Sequence, residues 1–204
     1  AVVWPRAREL AQKAIELDPD NGEARLVQAM VLAYADQNEA EAERVVRQVL
    51  VSDPGSVNLQ ILGGQLLSRF GKFSEAEELL KGAIAADPSF VMTRQILAHH
   101  YYMSRQYDLA KREAWRIIRM NPRSGTGYGL LVPPNWMSGD WRTAAWIADR
   151  AEAAGLNQPM VAMGLAYTYG RVGRVEEARR IIAAMNEQAK MLYVSPYQRA
   201  VAHM

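Results

Sequence analysis

Alanine returns at Ala42, Ala76, Ala110, Ala144 and Ala178, each 34 residues after the last. Three other series keep that step: Pro54, Pro88 and Pro122; Gly63, Leu97, Leu131 and Leu165; and Phe73, Tyr107 and Trp141, with Val175 in the next slot. A fixed period of this length marks a helix–turn–helix array, whose units bury their apolar faces only by stacking on one another. Small residues belong where two helices cross closely, which suits Ala76, Ala110 and Gly64, and leucine and tyrosine fill the space beside them. Leu97, Ala98 and Tyr101 show the helical period, falling on one face at i, i+1 and i+4.

The punctuation repeats as well. Gly71, Gly139 and Gly173 share one slot, with Arg105 in the remaining place, and glycine accepts the left-handed backbone that ends a helix. Asp18-Pro19, Asp53-Pro54, Asp87-Pro88 and Asn121-Pro122 mark the end of each second helix, because proline disfavours helix at the residue before it. The same proline is suited to open the next helix. These signals predict helices over 5–17, 22–35, 39–51, 55–70, 74–86, 89–104, 107–120, 124–132, 140–153, 157–172 and 175–190, and a short last helix near Pro196 with Ser195 as its N-cap. Pro19 and Pro54 are 35 residues apart, so one residue is inserted, most simply near Asp36–Asn38.

The chain resembles the tetratricopeptide repeat family, whose pattern runs W-x2-L-G-x2-Y, then A-x3-F, then P. Gly64, Leu67, Ala76, Leu80, Ala83 and Pro88 carry it in one repeat; Leu97, Ala98, Tyr101, Ala110 and Pro122 in the next; Leu165, Ala166, Tyr169, Ala178 and Ile182 in a later one. The tryptophan slot holds Arg25, Gln60, Arg94, Tyr128 and Ala162 instead. The resemblance implies an all-α, right-handed superhelical solenoid of antiparallel helix pairs. One domain over 1–204 is expected, with repeats at 22–56, 57–90, 91–124, 125–158 and 159–192 and part-repeats at both ends. The first part-repeat is a lone second-type helix, and the chain starts at Ala1, so a piece cut from a longer protein is expected. Tyr193-Val194-Ser195-Pro196-Tyr197 is similar to the opening of the last repeat in repeat regions of bacterial signalling proteins such as winged-helix regulators, cyclases and kinases.

Composition removes several classes. No stretch approaches the roughly 18 apolar residues of a membrane helix, and the start lacks a secretory signal. There is no cysteine, hence no disulfide framework or thiolate site, which leaves the compartment open between a slightly favoured cytoplasm and the periplasm. The net charge of +2, with both signs interspersed, gives no broad nucleic-acid footprint. His99 and His100 are adjacent and diverge by about 100° on a helix, and there is no His-Glu-x-x-His pattern, so neither a metal nor another cofactor is expected. Gly125-Thr-Gly-Tyr-Gly lacks the lysine and the preceding strand of a phosphate loop. No nucleophile–base pair stands out, and no catalytic residue is assigned.

The resemblance places the first helices on the concave side. The residues opposite their packed faces are then the ligand-binding candidates: Tyr34, Gln65, Arg69, Gln95 and His99 toward the start, and Tyr102, Met103, Trp136, Tyr167 and Arg171 further on. Ile61, Ser68, Pro133 and Met163 share these slots. Aromatics with arginine are the composition of recognition surfaces, and methionine suits a surface that adapts its shape; the bland alternative is that some of these aromatics bury against neighbouring repeats. Family members that grip a C-terminal carboxylate use lysines, asparagines and an arginine. Here those slots hold Met30, Gln65, Arg69, Gln95 and His99, so a chaperone-tail ligand is not expected. The expected function is a non-catalytic scaffold docking a protein or peptide segment in the groove, with self-association through the terminal part-repeats open. The alternative is the sensory module of a bacterial signalling protein, binding a small ligand or peptide.

Two features stand outside the pattern. Pro133-Pro134 follows Gly125, Gly127 and Gly129, and predicts an interrupted helix: either an opening in the wall with Trp136 beside it, or a degenerate repeat carried by its neighbours. Arg112, Arg116 and Arg119, with Arg123 beyond, form one basic stripe on a second helix, read most simply as a solvated face.

Overall fold

The computed structural model describes residues 3–190 and 200–202. The helix expected near Ser195 and Pro196, the Tyr193–Tyr197 run and His203 lie outside the described residues; residues 200–202 are helical. Among the described residues there is no strand. The chain divides into two compact units, Ala1–Ser104 and Arg105–Met204. The first holds α1 (Val3–Leu17), α2 (Gly22–Tyr34), α3 (Glu39–Ser52), α4 (Val57–Arg69), α5 (Phe73–Ala86) and α6 (Val91–Met103). The second holds α7 (Tyr107–Met120), α8 (Gly125–Met137), α9 (Trp141–Ala153), α10 (Pro159–Arg171) and α11 (Val175–Gln188).

The periodic residues do what their chemistry requires. Ala42, Ala76, Ala110 and Ala144 are completely buried, and Ala178 nearly so. A Cβ on Gly64 would lie 2.9 Å from Leu80 Cγ, which is why α4 and α5 approach so closely there. The turn slot is left-handed in every repeat, at Gln37, Gly71, Arg105, Gly139 and Gly173, with φ of 55, 74, 60, 72 and 82°. The loop 35–38 has four residues where 70–72 has three, which accounts for the single 35-residue step.

The boundary prolines play a different part from the expected one. They do not open helices. Asp18, Asp87 and Asn121 each accept a hydrogen bond from the backbone N–H two residues on, at 3.2, 3.0 and 3.0 Å, closing an Asx turn around the proline. The next helix starts after a separate N-cap: Asn21 accepts from Ala24 N at 2.9 Å and Ser124 from Gly127 N at 3.1 Å, caps worth about 1 kcal/mol each.

Within each unit the first helices form an inner layer. The backbones of α2 and α4, α4 and α6, and α8 and α10 lie alongside each other, whereas those of α3 and α5, α7 and α9, and α9 and α11 do not. Long side chains bridge the more widely spaced second helices: Arg47 to Glu75 at 2.8 Å between α3 and α5, and Arg180 to Glu152 between α9 and α11. The core of the first unit centres on Leu26, Val46, Leu66, Leu67 and Ala76, and that of the second on Leu131, Ile147, Leu165, Tyr169 and Met185. Tyr169 donates its buried hydroxyl toward Asp149 and Glu152, each at 2.9 Å, and burial together with those carboxylates pushes its pKa up.

The break expected at Pro133-Pro134 is absent: α8 runs through both prolines to Met137. Neither ring can donate, so the carbonyls of Gly129 and Leu130 lose their i+4 partners. Packing outweighs that loss. A Cβ on Gly127 would fall 2.8 Å from Ile118 Cγ1, and one on Gly129 would fall 2.9 Å from Met160 Sδ, so the glycines let α8 seat closely against α7 and α10. Buried Asn135 donates its side-chain amide to Leu131 O at 2.7 Å, and Trp136 Nε1 donates to Thr168 Oγ1 of α10 at 2.9 Å. The segment read as a weak helix is held by its neighbours.

Candidate functional site

In the first unit the candidates sit on the inner helices α2, α4 and α6. Gln65, Gln95 and Tyr102 are half-buried, and His99 and Met103 are exposed. His99 and Tyr102, one turn apart, bring their rings to 6.4 Å. Tyr34 and Arg69 form a packed set of their own. Trp4 of α1 stacks on the Tyr34 ring at 5.3 Å, and the Arg69 guanidinium lies 4.5 Å from the centroid of the same ring. Arg69 also donates to Ala33 O at 3.2 Å and pairs with Glu39 at 3.1 Å. Its charge is therefore already engaged, and neither Trp4 nor Glu39 carried a sequence signal for this contact, because both lie on second-type helices.

Three residues expected in the groove slots belong to the core: Ile61, Ser68 and Met163 are buried. A helical wheel of one helix does not show what the next inner helix covers. Ser68 bonds to His100 Nδ1 of α6 at 2.8 Å.

In the second unit Trp136, Tyr167 and Arg171 come together around a residue read only as part of the periodic scaffold, Trp141. Tyr167 packs edge-on against Trp136 at 4.7 Å and against Trp141 at 6.0 Å. Arg171 lies over Trp141, 4.9 Å from its centroid, and has no acidic partner among the described residues. Trp136 and Tyr167 are half-buried, so part of each ring is scaffold, as the bland reading of these aromatics has it; Arg171 and Met137 are exposed at the end of the same layer. A guanidinium fixed over an aromatic face and unpaired with acid is suited to receive a carboxylate.

A second aromatic pair lies on the outer helices of the same unit. Trp146 of α9 is 48% exposed and meets Trp115 of α7 at 6.1 Å, with Arg150 4.9 Å from the Trp146 centroid. Nothing in the sequence marks this pair beyond two tryptophans in otherwise unremarked slots. No group of histidine, aspartate and glutamate that could hold a metal ion occurs among the described residues.

The family model for the tetratricopeptide repeat matches residues 4–57. No curated protein matches the chain in sequence. Solved structures do match it in fold. The crystal structure of PilW, a widely conserved type IV pilus biogenesis factor, is 19% identical, with a TM-score of 0.72 over 97% of this chain and 90% of that one. A thermophilic tetratricopeptide repeat protein from Thermus thermophilus is 20% identical, with a TM-score of 0.67 over 89% of this chain and 98% of that one. PilF of Pseudomonas aeruginosa is 18% identical, with a TM-score of 0.61 over 97% and 87%. Residues 4–57 therefore match the tetratricopeptide repeat in sequence, and the repeating core alanines and paired helices of both units give the chain the fold of tetratricopeptide repeat structures.

Proposed function

We propose that this chain is a non-catalytic scaffold that holds a segment of a partner protein on the exposed face of its first helices. The tetratricopeptide repeat fold is a protein-interaction scaffold, and repeats of this kind are generally non-catalytic. No helix among the described residues is long and apolar enough to cross a membrane.

The observation that carries the proposal is Arg171, held over Trp141 beside the Trp136–Tyr167 pair and left without an acid among the described residues. It favours Arg171 for the acid-holding role over Arg69, whose guanidinium is engaged by Glu39. Around it the half-buried rings give rigid, amphipathic contact area at little entropic cost, the property of hot-spot aromatics. On the first unit, Gln65, Gln95, His99, Tyr102 and Met103 offer amide, imidazole and thioether contacts to a peptide backbone and its apolar side chains. Photo-crosslinkers placed at Met103 and at Met137 test the reading in the host lysate. Adducts with a protein at these positions, and not at Lys190, support it; adducts at Lys190 alone refute it.

A further inference from the structure

We infer that the outer face of α7 and α9 is a second docking surface, built for an acidic protein segment that carries aromatic or branched apolar side chains. On α7, Arg112, Trp115 and Arg119 fall within one stripe, opposite the buried Ala110, Ala114 and Ile117. On α9, Arg142, Trp146 and Arg150 lie opposite buried Ala144, Ile147 and Ala148. Trp115 packs on the core at its root and meets Trp146 outside it.

This face departs from the other outer helices in how it uses charge. Between α3 and α5, and between α9 and α11, the bridging contact is an arginine–glutamate pair, Arg47–Glu75 and Arg180–Glu152. Between α7 and α9 the bridge is aromatic, and the arginines beside it are left over. Arg116 pairs with Glu113, but Arg112, Arg119, Arg123 and Arg150 have no acidic partner among the described residues. An exposed tryptophan with a guanidinium over its ring, beside a helix whose outward stripe carries further arginines, has the make-up of an interface hot spot, and its charge selects an acidic partner.

The distribution favours a protein segment over nucleic acid. Net charge is only +2, and the acids around the patch, Asp149, Glu152 and Glu113, are already tied to Arg174, Arg180 and Arg116. The unpaired cations are few and confined to α7, its end and α9, with Arg150 over a ring, not the extended basic track that follows a phosphate backbone.

The test is fluorescence anisotropy on the full chain with a labelled peptide of about 15 residues made of Glu-Glu-Phe-Glu-Leu repeats, a length matched to one helix-sized site. Saturable binding is expected, weakened roughly tenfold or more by Trp146→Ala and again by Arg112→Ser with Arg119→Ser, the scale of a hot-spot loss. Arg179→Ala, at an exposed side chain paired with Glu176, leaves it unchanged, and the same peptide with lysine for glutamate does not bind. The arginine variant alters exposed side chains only, so it decides the matter if Trp146→Ala lowers the melting point. Failure of the acidic peptide to bind at millimolar concentration, binding by both outer-face variants equal to that of the parent, or tighter binding of an oligothymidine of similar length would each overturn the inference.

Discussion

Ser68 on α4 and His100 on α6 share a buried hydrogen bond, 2.8 Å from Oγ to Nδ1. The serine's one proton goes to Gly64 O at 2.8 Å, so the imidazole must be the donor. His100 is then the Nδ1–H tautomer, with Nε2 buried and unpartnered among the described residues. The ring is completely buried, edge-on to Phe73. Burial holds its pKa below the ordinary histidine range; Glu77 opposes that shift, and His99 and Lys81 reinforce it.

Acid should therefore destabilise the fold through His100. The unfolded chain binds the proton near pH ~6.5 and the folded chain resists it, so stability is full above that pH and falls as pH drops below it, by at most about 1.4 kcal/mol per pH unit. Chemical denaturation at pH 7, 6 and 5 measures this. His100→Leu should flatten the slope, and an unchanged slope would mean the buried ring is not the group that titrates.

The alanine series sets a packing limit. Ala110 is completely buried on α7. Ala110→Leu should cost about 1–3 kcal/mol by overpacking, read as a lowered denaturation midpoint.

Two turn residues should respond with opposite signs. Arg105 is exposed at φ 60°, where a side chain costs about 1–2 kcal/mol. Arg105→Gly relieves that strain, and after the added freedom of the unfolded chain should stabilise by roughly 0.5–1 kcal/mol. Gly71, at φ 74° with nothing near its Cβ position, isolates the backbone effect, so Gly71→Ala should destabilise by about 1 kcal/mol. Thermal melts of both variants check the pair of signs.

Pro133 lies in the interior of α8, where it removes a donor from Gly129 O. Pro133→Ala should restore that bond and raise stability by about 1–2 kcal/mol, the helix-interior penalty of proline less the entropy it removes from the unfolded chain. A lower midpoint would show that the ring itself is needed for packing.

These sites also show where sequence reasoning reaches and where it stops. The helix pairs were legible because Ala42 to Ala178 and the turn slot obey one period, and period reports packing directly. Gln37 and Arg105 show its strength: the slot is left-handed even where glycine is missing. Pro133-Pro134 shows its limit, since local propensity argued for a break and close approach of α7 and α10 overrode it. The inner-face residues were legible as a helix face, but not their state. Arg69 is free on a helical wheel, yet Glu39 and Tyr34 engage it; Ser68 lies on the same outward face, yet His100 bonds to it and both are buried. The ring contacts of Trp141 and Trp146 are not legible for the same reason: a ring's neighbours across two helices have no fixed spacing in the chain.

The most direct test of the interaction role uses the Arg171 cluster. A partner segment mapped by the crosslinks is titrated by calorimetry against the parent chain, against Tyr167→Ala with Arg171→Ala, and against Arg179→Ala, which alters an exposed side chain paired with Glu176. If Arg171 and its rings hold the partner, the first variant loses more than about 2 kcal/mol of binding free energy with its fold intact, and the second matches the parent. Equal affinity for all three chains would contradict that role.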